Sequence, residues 1–149
     1  NPMNVTQQWT ERDDPWDAID VFEAHVDESG FYLRWRSFLR ACAVALLPAL
    51  PPEANSWVAA ADEYERGQRT ARGLTEVRVR AWQFHDAHRE SLPQSDLSGL
   101  RVAMYRLWTD EPDEWADSAW HFLHFCGEAG LAQERWWPLL REQFHDSME

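Results

Sequence analysis

The chain contains no lysine: all 14 of its basic residues are arginine. A phosphate-cradling GxxxxGK loop therefore cannot exist, and nucleotide hydrolysis of that kind is excluded. The absence reads as the arginine-codon preference of a GC-rich genome rather than as avoidance of lysine modification, since no lysine-specific physics shows elsewhere. Cysteine is scarce as well. Cys42 and Cys126 are the chain's two, both in apolar surroundings, and two thiols in 149 residues are no disulfide framework. Buried free cysteines in a reducing, cytoplasmic setting are the expectation. Long apolar runs are missing too. The longest uncharged, largely apolar stretch, Ala41 to Pro52, is broken at Pro48 and falls short of the roughly 20 residues a membrane helix needs. The start, Asn1-Pro2-Met3-Asn4-Val5, has neither the basic nor the apolar region of a signal peptide. Asn1-Pro2 ahead of Met3 reads as a tag remnant, so residues 1–10 are expected to be a flexible leader and residues 11–149 a single domain.

What the chain has in excess is acid and tryptophan. Its 26 Asp and Glu give a formal charge of −12, and 10 residues are Trp. A negative balance of this size argues against direct binding to nucleic acid or to an anionic membrane surface, because a phosphate backbone is gripped by positive charge. The acids are segregated. Residues 1–30 carry eight acids and one Arg, residues 110–149 carry ten acids and two Arg, and residues 53–109 carry eight of each. Tryptophan supplies a large rigid apolar area with one N–H, which suits both cores and interface anchors; ten are too many for anchors alone.

Apolar residues recur with helical period along the whole chain, and strand alternation is almost absent. Asp14-Pro15 caps and opens a helix through Trp16, Ile19, Phe22 and Val26 that Gly30 stops. Phe31 to Leu47 is apolar nearly all round, which predicts a buried central helix ended by Pro48, with three Arg that must snorkel or find carboxylates. Helices are predicted from about Pro52 to Arg66, Thr70 to about Glu90, Asp96 to Trp108, and Pro112 to Gly130. Ala132 to Asp146 holds Pro138 and is expected to kink or break there. Six or seven helices with short connectors make an all-α single-domain bundle.

Two constellations bear on function. Asp117, His121, His124 and Glu128 fall at steps of four, three and four, on one helical face opposite Trp115, Ala119, Phe122 and Cys126. Imidazoles and carboxylates together suit zinc, iron or manganese, and His85 or His88 would complete the shell from a second helix. The competing reading is an ordinary solvated face stabilised by the acid–His pairs 117/121 and 124/128, with no established zinc spacing. No nucleophile–base pair is local, since His124 and Cys126 point to different faces. The second constellation is acidic. Glu11, Asp13, Asp14, Asp17 and Asp20 cluster near Trp16, and Asp110, Asp113 and Glu114 near Trp115. Acids at helix starts complement the helix dipole, yet the first run continues to Asp27 and Glu28, where the dipole disfavours carboxylates. Acidic rims around aromatic anchors suit a basic protein surface. The leading expectation is a non-enzymatic inhibitor, immunity protein, adaptor or regulator of a basic partner that uses no cofactor. The alternative is a metal-binding bundle with hydrolase or oxidoreductase chemistry, and a Trp-lined small-molecule pocket is the third possibility.

Overall fold

The computed structural model describes residues 20, 30–108 and 115–145, without the side chains of 31, 115–118, 144 and 145. Within them lie six α-helices and no strand, as the periodicity requires: α1 (Phe31–Leu46), α2 (Glu53–Glu65), α3 (Ala71–Ala87), α4 (Gln94–Met104), α5 (Trp115–Glu128) and α6 (Gln133–His145). Single 3-10 turns follow α1 and α4 at Leu47–Ala49 and Tyr105–Leu107. No helix of the described residues is long and apolar enough to cross a membrane.

The helix ends follow local chemistry. The Thr70 hydroxyl accepts the Gly73 N–H at 3.0 Å and opens α3. Gly67 and Gly130 take φ of +76° and +94° at the stops of α2 and α5, and Gly30 takes +83° where α1 begins. Pro48 ends α1 in a 3-10 turn, as expected. Pro138, by contrast, lies inside a continuous α6. The ring removes a bond to the Glu134 carbonyl, which belongs to the exposed first turn, while buried Trp136 and Leu140 pin the helix on either side of it.

Two apolar clusters form the interior. The first joins α1, α5 and α6 through Trp35, Phe38, Cys42, Phe122, Cys126 and Trp136, with T-shaped contacts from Phe122 to Trp35 and Phe38. The second joins α2, α3 and α4 through Trp57, Ala61, Leu74, Val77 and Leu100. Each fully buried large side chain among these contributes roughly 1.5–3 kcal/mol. The helix between the clusters is α4: residues 97–100 and 102–104 are all buried, and it packs on α1, α2, α3 and α5. The central helix is thus α4 and not α1, whose Leu33 and Val44 are 69% and 41% exposed. Small residues explain this. Ser98, Gly99 and Ala103 let neighbours close on α4 from both sides, and a Cβ at Gly99 would stand 2.6 Å from Leu50 Cδ2.

Candidate functional site

The most concentrated electrostatics of the described residues sit where α1, α2 and the Tyr105–Leu107 turn meet. Arg106 is fully buried; its Nη2 pairs with Asp62 Oδ1 and its Nη1 donates to Glu65 Oε1 at 2.5 Å. Arg36 donates to Glu65 Oε2 at 3.1 Å and to the carbonyls of Trp108 and Arg106 at 2.7 and 3.0 Å. Arg40 holds both oxygens of Asp62, which raises its pKa further above the ordinary arginine value. Spacing builds this network: Asp62 and Glu65 share a face of α2, and Arg36 and Arg40 share a face of α1. Arg106 Nε is buried without a hydrogen-bond partner among the described residues. Such an arrangement ties chain segments together: the buried guanidinium is engaged with two carboxylates of α2 and is not presented to solvent.

The His and carboxylate stripe of α5 is partly visible. His121 and His124 are exposed, as a solvated face requires. His124 Nε2 pairs with Glu128 Oε1, and Glu128 Oε2 also accepts from Ser98 Oγ at 3.2 Å and Gln94 Nε2 at 3.4 Å, both on α4. The backbone of Asp117 lies in α5, but its side chain is outside the described set. His85 and His88 do not join this group. His85 is buried, donates from Nδ1 to Asp86 at 3.1 Å, and receives Arg101 Nε at Nε2 at 3.5 Å, so both ring nitrogens are engaged. His88 donates to the Phe84 carbonyl at 2.8 Å and stacks on the Phe84 ring. The packed core histidine is therefore His85. The His85 hydrogen bond, with Arg89 beside it, holds the Asp86 carboxyl below the usual carboxylate range. No group of three or more His, Cys, Asp or Glu among the described residues is placed to hold a metal ion.

Beside the stripe, α5 and α6 enclose an open groove of about 650 Å3. Trp136 forms its buried floor, Trp120 stands 42% exposed at the rim, and Leu123, His124, Gly127 and Glu128 line it. Gly127 is helical, and among the described residues nothing lies within 4 Å of where its Cβ would be. Sequence periodicity marked neither Trp120 nor Gly127. An aromatic residue off the apolar stripe at 120, and a glycine inside a helix at 127, were the available signals.

Of the acidic clusters, Asp20 is helical and exposed, and Trp115 belongs to α5 with its side chain outside the described set. Glu11, Asp13, Asp14, Trp16, Asp17, Asp110, Asp113 and Glu114 lie outside the described residues. The two cysteines are free, buried and adjacent; burial first, then the Cys126 thiol beside it, pushes the Cys42 thiol well up, so it is a poor nucleophile. No protein-family model, curated protein or solved structure matches the chain.

Proposed function

We propose that this chain is a non-enzymatic, all-helical interaction module that engages a basic protein partner through its acidic ends, in the manner of an inhibitor, immunity protein, adaptor or regulator. One observation carries the reading: among the described residues, six arginines are committed to carboxylates of the central segment. Arg36, Arg40, Arg69, Arg72, Arg89 and Arg106 form ion pairs with carboxylates that all lie between residues 62 and 86. Several of the others are engaged by carbonyls or rings: Arg34 donates to the Gln143 carbonyl, Arg78 lies over Trp108, and Arg141 lies over Trp137. Residues 1–30 and 110–149 hold 18 of the 26 carboxylates and three arginines. With 18 carboxylates against three arginines, these two stretches carry a negative surplus that a basic surface would complement. Complementary charge speeds encounter, while Trp16 and Trp115 supply the anchors within the clusters.

The test is affinity capture from lysate of the native host at low and high salt, with bound proteins identified by mass spectrometry. The expected result is a basic protein retained at low salt and released at high salt, and absent from the capture when Asp13, Asp14 and Asp17 are all changed to Arg. A captured set with no basic member, or one indifferent to the three reversals, overturns the reading.

A further inference from the structure

Three features of the α5–α6 groove point to an occupant. Its one carboxylate is pre-set: Glu128 is held by His124 along its own helix and by Ser98 and Gln94 across α4, and Ser98 is itself buried. Among the described ion pairs Glu128 faces no arginine. Its helix also carries an unexplained glycine. A glycine inside a helix is destabilising relative to alanine, and at Gly99 the close approach of Leu50 explains it. At Gly127 no described atom does. The notch admits something from outside, between an exposed indole at Trp120 and the carboxylate at Glu128.

We infer that this groove seats a short segment of the basic partner, with an apolar side chain between Trp120 and the Trp136 floor and an arginine guanidinium against Glu128. The inference rests on the interaction-module reading. Charge complementarity selects the cation: a fixed carboxylate in a chain of −12 draws a guanidinium, whose planar fork matches its geometry. Length selects the segment. Residues 120, 124 and 128 rise along one side of α5, so Trp120 and Glu128 are about 12 Å apart along the axis. An extended peptide covers about 13 Å in four residues and returns its side chain to the same side. The partner's apolar and basic residues are accordingly four apart.

The probe is a capped pentapeptide with leucine first, arginine last and three serines between, titrated into the full chain while the tryptophan indole N–H signals are followed by NMR. The expected result is a saturable shift of the Trp120 signal, with binding about fivefold weaker when the peptide's arginine is replaced by glutamine. Glu128→Gln should lower the arginine peptide to the glutamine peptide's level. Gly127→Leu should abolish the shift, and it should fold because no described atom obstructs the new side chain. Equal binding of the two peptides, or shifts elsewhere only, overturns the inference. Self-association that Gly127→Leu removes would assign the groove to a second copy and overturn it equally. The two readings fail separately. Salt-sensitive capture of a basic protein that Glu128→Gln and Gly127→Leu leave intact sinks the groove alone, whereas peptide binding without any captured basic protein sinks the interaction reading alone.

Discussion

The junction of α1 and α2 and the outer side of α5 both carry acids on helical faces, and they treat them oppositely. At the junction, Asp62 and Glu65 meet Arg36, Arg40 and Arg106, and one of those arginines is completely buried. On α5, Glu128 is held by a histidine, a serine and an amide, and its neighbours His121 and His124 face outward. Charge that is matched inside the chain becomes architecture. Charge that is fixed in place without an arginine among the described ion pairs is available to a partner.

The sharpest way to break this contrast is at Arg106. Arg106→Ala leaves two carboxylates in a partly dry site without their closest cation, and a loss of about 3 kcal/mol is expected in urea denaturation, near the lower bound for a broken buried pair because Asp62 and Glu65 remain partly wet. A loss below 1 kcal/mol would mean that the network is ornamental. The two helical glycines provide a paired test. Gly99→Ala should cost about 1 kcal/mol, because the new methyl displaces Leu50 between the two clusters. Gly127→Ala should instead gain roughly 0.5–1 kcal/mol from helix propensity, which thermal melts of the two variants can show with opposite signs. The smallest effect lies at Asp86. Its folded-state carboxyl titrates below the usual value, so its contribution is present at neutral pH and disappears as pH falls through that lowered value. The stability difference between the parent chain and Asp86→Asn should accordingly shrink on acidification, as followed by urea midpoints across the acid range.

Much of the architecture was legible because punctuation and period agreed. The α2–α3 connection falls where the predicted helices end and begin, near Arg66 and Thr70, and Leu74, Val77 and Ala81 are buried at helical spacing. What escaped depends on distance along the chain. Nothing local at Arg106 announces that its carboxylates lie 41 and 44 residues away. Leu33 and Val44 looked buried because apolarity says nothing about which side of a helix the neighbours occupy. Helix α4 became central through small residues, which carry little hydrophobic signal of their own. Pro138 was read by its local penalty, whereas burial of Trp136 and Leu140 decided the outcome. At the candidate site the solvated character of His121 and His124 could be anticipated from the opposing apolar stripe, but the reach of Glu128 to α4, and the groove beside it, required the fold.

The most direct test compares reversal of charge in the two classes of region. Once a basic partner is captured, its affinity should be measured across salt concentrations for the parent chain and two triple variants: Asp13, Asp14 and Asp17 to Arg, and the exposed central acids Glu53, Glu76 and Glu90 to Arg. Reversal at the end of the chain should weaken binding by about tenfold or more at low salt and flatten the salt dependence, while reversal in the centre should change affinity by less than about threefold. Equal losses from both variants would mean that only net charge matters, and no loss from the end variant would contradict the claim that the surplus acids form the binding surface.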